Sequence, residues 1–356
     1  MGTRVALLGF GTVGSAVARR LTAGSHPFEL THIFDRHAAQ KRGALISPAT
    51  WTSRIEDVLE SSADVVVEAL GGVEPAAEFM RLALLSGKSV VTANKQVIAR
   101  HGDALRTLAA RQGRQLRFEA AVGGAMPIVR AIGDGLAGDR LTRVVAILNG
   151  TTNAVLSQMD ATGCSRDDAL ADAQARGFAE ADPSADLDGA DAGAKLAILC
   201  ALAFGLRVDP ARIETRSAAS INQADVVEAR RRHGTIRQIA HAEYDHQRSV
   251  LSIWVAPVVV PRGSLFAAVV GAQNAAVITG EHAGEVGIFG AGAGGDATAV
   301  AVISDIVAIA RDRAAVVPAP VLVAPRLIVG LPGTNVKVPT ADVERQNTHF
   351  SLAEAV

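Results

Sequence analysis

Residues 5–14 read Val-Ala-Leu-Leu-Gly-Phe-Gly-Thr-Val-Gly, an apolar run that leads directly into a G-x-G-x-x-G pattern. The run predicts a buried parallel strand, and the apolar spacing that follows it predicts a helix. In such a turn the first glycine permits a sharp bend, the second lets the backbone approach a pyrophosphate, and the third lets the helix pack closely on the strand. The candidate dinucleotide contacts in this turn are Gly9, Gly11, Thr12, Val13 and Gly14.

An acidic residue at the end of the next apolar stretch bears on which dinucleotide binds. Asp35 follows Gly14 by about twenty residues, the distance at which a carboxylate commonly accepts a hydrogen bond from the ribose 2′-hydroxyl of NAD. Arg36, Lys41 and Arg42 come directly afterwards and could instead neutralise the 2′-phosphate of NADP, or simply form a solvated loop. Asp35 and Arg36 are therefore candidate cofactor contacts, and the choice between NAD and NADP stays open.

The alternation that begins at this turn continues along the chain. Apolar runs alternate with helical spacing as far as Pro127, which predicts an α/β fold with a Rossmann-type parallel sheet over residues 1–127. In residues 128–297 several helices are followed by strand-like stretches, which predicts a second, α+β domain with a largely antiparallel sheet. A last helix and the segment after it are expected to return to the first domain, over about 298–340.

Composition narrows the class of partner. The chain has 356 residues, a formal net charge of -1 and two cysteines. A near-neutral balance gives no electrostatic attraction to nucleic acid or to an anionic membrane surface. No apolar stretch reaches the roughly 20 residues that span a bilayer, and the start of the chain lacks a signal-peptide pattern. We expect a cytoplasmic protein that binds small molecules, with no nucleic-acid or membrane partner.

Two further segments follow predicted buried strands, at the edge where open α/β sheets bind ligands. One is Glu68-Ala-Leu-Gly-Gly72 and the other is Thr92-Ala-Asn-Lys95. Glycines there let a cofactor lie against the backbone. Lys95 is a candidate for reaching the substrate, although a lone lysine is more often an ordinary surface residue. The candidate cofactor contacts in these segments are Leu70, Gly71, Gly72, Thr92, Asn94 and Lys95.

The most unusual stretch is residues 177–195, named here the carboxylate–lysine segment. It contains five acidic residues and then one lysine on an otherwise apolar helix: Glu180, Asp182, Asp186, Asp188, Asp191 and Lys195. A lysine on a buried helix must be paired or lie in a cleft, because an isolated buried charge is costly. Asp191 precedes Lys195 by four residues, so the two share a helical face. A purely structural interpretation makes Asp188 a helix cap and Asp182 and Asp186 turn residues.

Several acids around a lysine suit a small zwitterionic substrate. Carboxylates hold an ammonium group, while a lysine can meet a hydroxyl or carbonyl that exchanges hydride with nicotinamide. At this point the sequence resembles the homoserine dehydrogenases over roughly residues 4–312. The resemblance is carried by the carboxylate–lysine segment, the glycine turn, the two strand-end segments, Leu148-Asn-Gly-Thr-Thr-Asn153 and Gly290–Gly295. No regulatory domain of the usual size follows the last helix, so feedback control through one is not expected.

The resemblance implies an activity. It implies NAD(P)-dependent interconversion of L-homoserine and L-aspartate 4-semialdehyde, on the route to threonine and methionine. The second domain is then the catalytic, substrate-binding and dimerisation domain of a homodimer. Lys195 and Lys95 are implied to flank the reacting oxygen, with Asp191 beside Lys195. Either lysine can transfer the proton, or a charged lysine can polarise the aldehyde.

The resemblance also implies a substrate set and a cation. The implied substrate contacts are Glu180, Asp186, Asp191, Thr151 and Gly150. The three carboxylates are implied to hold the substrate ammonium group or to orient the lysines. A monovalent cation, Na⁺ or K⁺, is implied at Glu119, Val122 and Gly124, since hard oxygen ligands suit such an ion. The alternative for Glu119 is a glutamate that merely ends a strand beside a glycine turn.

Two other functions compete with homoserine dehydrogenase. One is another NAD(P)-dependent dehydrogenase of a small amino or hydroxy acid on the same architecture. The other is a non-catalytic module that senses a dinucleotide, which predicts cofactor binding without turnover and leaves the lysine of the carboxylate–lysine segment unexplained.

Overall fold

The computed structural model describes residues 2–24, 27–45, 47–312 and 321–331. These residues divide into two units. The first holds the described residues up to Val129 and those from Gly294 to Leu322; the second holds those from Arg130 to Ala293 and from Val323 onward. Among them, none of the helices combines the length and apolar character that crossing a membrane demands.

The first unit is built on a six-stranded sheet whose neighbouring strands are all parallel. Its strands are β1 (Thr3–Leu8), β2 (Phe28–Phe34), β3 (Thr50–Thr52), β4 (Val65–Glu68), β5 (Ser89–Thr92) and β6 (Leu116–Arg117). Their spatial order is β3-β2-β1-β4-β5-β6, which reverses between β1 and β4. Ligands of open α/β sheets bind beyond the carboxyl ends of the strands at such a reversal. The predicted Rossmann-type parallel sheet is confirmed.

The helices of the first unit connect these strands, and one comes from late in the chain. They are α1 (Thr12–Thr22), α2 (Ala38–Lys41), α3 (Ile55–Leu59), α4 (Ala76–Leu85), α5 (Lys95–Arg111) and, numbered in chain order, α13 (Gly295–Arg311). Helix α13 packs beside α1, where Ala299, Val302 and Ile306 are buried in the same apolar core as Val17 and Leu21. The predicted helix from Thr298 to Arg311 therefore forms.

The second unit contains a seven-stranded, largely antiparallel sheet, as predicted. Its strands are β7 (Leu141–Ile147), β8 (Glu214–Thr215), β9 (Gly234–Asp245), β10 (Val250–Pro261), β11 (Gln273–Gly280), β12 (Gly284–Ala291) and β13 (Leu327–Val329). The order is β12-β11-β7-β9-β10-β13, and β8 pairs with β10. Strands β8 and β13 pair with β10 in the parallel sense, and the other neighbours are antiparallel.

Helices of the second unit carry the predicted substrate contacts other than Glu180, together with Lys195. The α-helices in this part of the chain, with α6 at the boundary between units, are α6 (Ile128–Arg130), α7 (Gly150–Thr162), α8 (Arg166–Ala175), α9 (Ser184–Leu187), α10 (Ala190–Ala203), α11 (Gln223–Arg231) and α12 (Leu265–Ala268). Helix α7 begins at a capping residue, Asn149, whose side chain accepts the backbone N–H of Thr152. Such a cap satisfies one of the N–H groups that a helix start leaves without an intrahelical partner.

Strand β6 ends at Arg117, and a 3₁₀ turn over Glu119–Ala121 follows it. The expected return of about 298–340 to the first domain is wrong for Leu327–Val329, because this strand pairs with β10 in the second sheet. Residues 313–320 and 332–340 of that range lie outside the described residues.

The sequence pattern missed β9, which lies between β7 and β10 in the second sheet. Charged and polar side chains interrupt its apolar alternation, so no strand was expected. In the structure Arg237 is nonetheless only 1 % exposed, and its guanidinium donates to the backbone carbonyls of Phe266 and Ala267. A buried polar side chain with such partners is tolerated inside a sheet, but the residue type alone does not predict its burial.

Candidate active site

The glycine turn after β1 has the shape that a dinucleotide phosphate requires. Gly9 has a φ of 97°, which side chains rarely adopt, and a Cβ on Gly14 would lie 2.0 Å from the carbonyl oxygen of Gly9. Helix α1 can therefore approach the end of β1 only because residue 14 is glycine. A Cβ on Gly11 would meet open space, and Gly11 and Thr12 are exposed at the helix start. These residues fit a phosphate held at a helix N-terminus.

Asp35 is buried and binds the glycine turn itself. Its Oδ2 accepts the backbone N–H of Phe10 at 3.0 Å and the Nζ of Lys41 at 2.8 Å, and its Oδ1 accepts the N–H of His37 at 2.8 Å. Burial alone would raise the pKa of the Asp35 carboxyl. The hydrogen bonds from Lys41, His37 and Phe10 outweigh that effect, so the pKa lies below its ordinary value.

Lys41 therefore lies beside the glycine turn, with its ammonium group paired to the Asp35 carboxylate. Its Nζ also donates to the carbonyl of Phe10 at 3.2 Å, while its side chain remains 36 % exposed. Arg36, the candidate named from the sequence, is exposed. The structure thus brings Lys41 against Asp35 and the glycine turn, a position that sequence spacing had left open.

A buried hydrogen-bond network joins the ends of β4 and β5. Glu68 is fully buried, and its carboxylate accepts the N–H of Leu70 at 2.8 Å and the hydroxyl of Thr92 at 2.5 Å. The Nδ2 of Asn94 donates to the Gly72 carbonyl at 2.7 Å and, more weakly, to Glu68 at 3.4 Å. The two strand-end segments predicted as cofactor contacts are thus held together by one carboxylate.

The same network positions Lys95. Asn94 caps helix α5, since its Oδ1 accepts the N–H of Val97 at 3.2 Å, and Lys95 is the first residue of that helix. Gly71 and Gly72 have φ values of 77° and 73° and are exposed, so the loop they form presents backbone rather than side chains. Both features place these candidates beyond the carboxyl ends of the parallel strands, where such sheets bind ligands.

Lys195 and Asp191 form a largely buried ion pair on α10. The Lys195 Nζ lies 2.7 Å from Asp191 Oδ2 and donates to the carbonyl of Leu148, at the end of β7, at 2.7 Å. The side chains are only 12 % and 5 % exposed, respectively. A lysine among apolar neighbours is therefore paired, as the sequence required.

Asn149 joins Asp186 to this pair. Its Nδ2 lies 2.7 Å from Asp186 Oδ1 and 2.9 Å from Asp191 Oδ2. The backbone carbonyl of Asp186 accepts the hydroxyl of Thr152 at 2.9 Å, which ties α9 to the start of α7. We call Asn149, Asp186, Asp191 and Lys195 the α10 cluster. It contains two carboxylates and one lysine.

The other implied substrate contacts lie around this cluster with different neighbours. Thr151 is buried and donates its hydroxyl to the carbonyl of Phe178 at 2.6 Å. A Cβ on Gly150 would lie 3.0 Å from the carbonyl oxygen of Ala272, so glycine there lets the start of α7 approach the loop before β11. Glu180 is exposed, and its backbone carbonyl accepts the side-chain amide of Gln174. Glu180 is not part of the α10 cluster.

The residues implied to hold a cation form a buried turn in the first unit. Glu119 is 3 % exposed; its Oε1 accepts the N–H of Val129 at 2.8 Å, and its own N–H donates to Asp305 Oδ2 at 2.9 Å. Val122 and Gly124 are also buried, and Gly124 has a φ of 66°. Two buried carboxylates, Glu119 and Asp305, thus approach one turn.

Two residues of this site were not candidates from the sequence. Asn149 was quoted only within a motif, and Glu68 only as the start of a loop. Both act through partners that are distant along the chain, such as Asp186 and Thr92. Position along the chain could have indicated both residues, because each lies directly after, or at the end of, a predicted strand.

Comparison with known proteins places both units in one family. The family described as Homoserine dehydrogenase matches residues 127–307, and Homoserine dehydrogenase, NAD binding domain matches residues 9–119. The homoserine dehydrogenase of Mycobacterium leprae (strain TN) is 42 % identical over 322 residues, which is 87 % of this chain and 72 % of that protein.

Solved structures agree. A homoserine dehydrogenase from Thiobacillus denitrificans superposes with a TM-score of 0.85 at 33 % identity, covering 92 % of this chain and 80 % of that one. A hyperthermophilic archaeal homoserine dehydrogenase in complex with NADPH superposes with a TM-score of 0.73 at 29 % identity, covering 88 % and 98 %.

Proposed function

This chain belongs to the homoserine dehydrogenase family, NAD(P)-dependent oxidoreductases that act on a CH–OH group, and on that premise we propose that Lys195 is the residue that transfers the proton. The observation that supports this role is the placement of its Nζ. Asp191 and the carbonyl of Leu148 each lie 2.7 Å away and hold the nitrogen at the end of β7. A general acid or base must be held within reach of the proton it moves.

The proton step follows from the balance of the reaction. Oxidation of the homoserine hydroxyl to the aldehyde releases a hydride and a proton, and a dinucleotide held at the glycine turn would supply the acceptor for the hydride. The neutral amine of Lys195 takes the hydroxyl proton in that direction. In the reverse direction its ammonium returns a proton to the developing alkoxide. Asp191 keeps the nitrogen in place through both protonation states.

Lys95 is the other candidate for this step. It opens α5, where Asn94 caps the helix and the Glu68 network holds the adjoining segment. Arginine keeps a positive charge but does not give up its proton near neutral pH. We expect Lys195→Arg to abolish turnover, whereas Lys95→Arg retains part of it. The opposite result would assign the proton transfer to Lys95.

The α10 cluster is proposed to bind the substrate ammonium group. Asp186 and Asp191 carry two negative charges against the single charge of Lys195, so the cluster favours a cation. The test compares L-homoserine with 4-hydroxybutanoate, which has the same carbon chain and hydroxyl but no amine. We expect turnover of homoserine alone. Equal turnover of both would favour a hydroxy-acid dehydrogenase, and dinucleotide binding without turnover of either would favour a sensing module.

We propose that Lys41, rather than Arg36, sets the balance between NADP and NAD. Lys41 is held beside the glycine turn by Asp35 and the Phe10 carbonyl and keeps a partly exposed ammonium group there. A positive charge at this place suits the 2′-phosphate of NADP. Lys41→Met is expected to lower the ratio of kcat/KM for NADP to that for NAD about ten-fold. Arg36→Met is the matched control and is expected to leave the ratio near the wild-type value.

A monovalent cation is proposed at the turn formed by Glu119, Val122 and Gly124. The two buried carboxylates at one turn, those of Glu119 and Asp305, support it. Hard oxygen ligands from the carboxylate and from turn carbonyls suit Na⁺ or K⁺. The melting temperature is expected to rise with NaCl or KCl more than with tetramethylammonium chloride, and Glu119→Gln is expected to remove the difference. An equal response to all three salts would exclude the site.

We also propose that the chain forms a homodimer through the second sheet. Strand β12 ends that sheet among the described strands, and Phe289 on it is 59 % exposed. An unpaired sheet edge with an exposed aromatic side chain is a natural pairing surface. Phe289→Asp is expected to lower the mass measured by light scattering. Leu85→Asp, at an exposed position on α4 of the first unit, is the control, and a monomeric wild type would overturn the proposal.

A further inference from the structure

The amide of Asn149 lies between the two carboxylates of the α10 cluster. We propose that Asn149 is a positioning residue that sets the spacing of Asp186 and Asp191 for one substrate ammonium group. This inference rests on the proposed role of those aspartates as ammonium ligands. Asn149 is 5 % exposed, and its Nδ2 is within 2.9 Å of an oxygen of each carboxylate.

The orientation of the amide follows from its third contact. The Oδ1 of Asn149 accepts the backbone N–H of Thr152 at 2.8 Å, so the oxygen faces a donor and the NH₂ group faces the two carboxylates. The reverse orientation would set an oxygen against two negative charges and an NH₂ group against an N–H. The hydrogen-bond network therefore decides which side of the amide each partner meets.

An amide is well suited to this place because it is neutral and carries two donors. Each N–H of the NH₂ group is directed to one carboxylate, so two like charges share one nitrogen. Carboxylates this close repel each other and favour protonation of one of them unless donors or cations compensate. Asn149 and Lys195 supply that compensation from two sides. One oxygen each of Asp186 and Asp191 is thereby assigned to Asn149, and Asp186 keeps its other oxygen for the substrate.

Asn149 also couples this spacing to the position of the proton-transfer lysine. The backbone carbonyl of Leu148, the preceding residue, accepts a hydrogen bond from the Lys195 Nζ, and Asn149 caps the start of α7. Two consecutive residues at the end of β7 therefore hold the lysine and the two aspartates. A change at residue 149 that keeps the cap but removes the donors isolates the positioning role from the helix start.

Asn149→Asp makes that change, because an aspartate keeps the cap acceptor and the side-chain size. It replaces the two N–H donors by a third negative charge facing Asp186, Asp191 and Lys195. Loss of both donors releases the two carboxylates from their spacing, and we expect this to outweigh the attraction of the added charge for an ammonium group, so KM for homoserine rises about ten-fold or more, with kcat falling less. The added charge favours the protonated lysine, so the pH at which kcat/KM for oxidation reaches half its maximum is expected to move upward. A role confined to folding would not move that pH.

A second variant and a control keep the test decisive. Asn149→Ser retains a good cap, replaces the two N–H donors by one hydroxyl on a shorter side chain and adds no charge, so the KM effect is expected without the pH displacement. Asn222→Asp makes the identical change at the exposed cap of α11, whose Oδ1 accepts the N–H of Asp225 at 3.1 Å. It is expected to leave the kinetics unchanged.

The outcomes separate this inference from the proposed function. Wild-type KM and an unmoved pH profile in a folded Asn149→Asp or Asn149→Ser variant would overturn the positioning role. If Asp186→Asn also left KM for homoserine unchanged, the ammonium site itself would be wrong. If Asp186→Asn raised KM and both Asn149 variants did not, only the present inference would fall.

Discussion

The Lys195 Nζ lies 2.7 Å from Asp191 Oδ2, one helical turn earlier on α10, and only 12 % and 5 % of the two side chains are exposed. The same spacing recurs at the end of α8, where a guanidinium nitrogen of Arg176, the residue after the helix, lies 3.4 Å from Asp172 Oδ2 and both side chains are at least 40 % exposed. Exposed pairs contribute about 0–1 kcal/mol, whereas removal of one partner of a buried pair leaves an uncompensated charge. The exposed Asp172–Arg176 pair is therefore a control, within the same chain, for a buried ion pair with the same spacing.

Asp191→Asn is expected to destabilise the protein and to reduce activity. It leaves the charge of Lys195 without its carboxylate, which in buried pairs costs on the order of 3 kcal/mol. Asp172→Asn breaks the exposed pair and is expected to change the free energy of unfolding by less than about 1 kcal/mol, with normal turnover. Urea unfolding and steady-state kinetics of both variants provide the check. Equal effects of the two substitutions would contradict a special role for the buried pair.

Lys195→Ala is expected to lower kcat by roughly 10²–10⁴, the range that a positioned general acid or base contributes. Dinucleotide affinity, measured by quenching of intrinsic fluorescence or by calorimetry, is expected to stay close to the wild-type value, because the candidate dinucleotide contacts lie in the other unit. Turnover that survives the substitution would remove Lys195 from the proton step.

Glu68→Gln is expected to loosen the dinucleotide site. Glutamine keeps an acceptor oxygen for the Leu70 N–H but loses the charge-assisted hydrogen bond from the Thr92 hydroxyl, and hydrogen bonds to charged groups contribute about 1.5–3 kcal/mol. We expect a lower melting temperature and a raised KM for the dinucleotide. Glu78→Gln, which breaks the exposed pair with Arg81 on α4, is the comparison and is expected to change neither quantity much. A Glu68→Gln variant as stable as wild type would show that the network is dispensable.

His241 on β9 is expected to weaken the fold in mild acid. Burial, with a smaller effect of Arg143, lowers the pKa of His241 to about 4, and its ring stacks on Trp254 at 4.8 Å. The Nε2 lies 3.7 Å from Glu243, an exposed carboxylate that does not offset the cost of burying a charge. The imidazole is therefore neutral in the folded protein at neutral pH.

The sign of the pH effect follows from this neutrality. The unfolded chain binds a proton at His241 below a pH of about 6.5 and the folded chain only below about 4, so the free energy of unfolding falls as the pH drops through this window. The loss amounts to about 3 kcal/mol. His241→Gln is expected to remove this slope, and His101→Gln, at an exposed site on α5, to keep it. Urea unfolding at several pH values measures both; parallel slopes for wild type and His241→Gln would refute the assignment.

Much of the fold could be predicted because it rests on local patterns. The apolar run before Gly9 and the helical spacing after Gly14 predicted β1 and α1, and the change of pattern after Pro127 predicted the second domain type. Strand β9 could not be predicted, because Arg237, whose partners are the carbonyls of Phe266 and Ala267, breaks the alternation that marks a strand.

Local sequence patterns were enough to predict the glycine turn after β1 and the pairing of Asp191 with Lys195. Both depend on spacings of a few residues, which the geometry of a turn and of a helix converts directly into position. The sequence also indicated the family, through motifs that extend over most of the chain.

Which polar side chains bind the same carboxylate depends on the folded arrangement of the chain. Asn149 meets Asp186 and Asp191 across 37 and 42 residues of chain, and Glu68 meets Thr92 across 24. Likewise Lys41, rather than Arg36, is the cation that meets Asp35. Such contacts follow no periodic pattern in the sequence. They depend on which strand ends lie next to each other in the sheet, and on which buried donors need an acceptor.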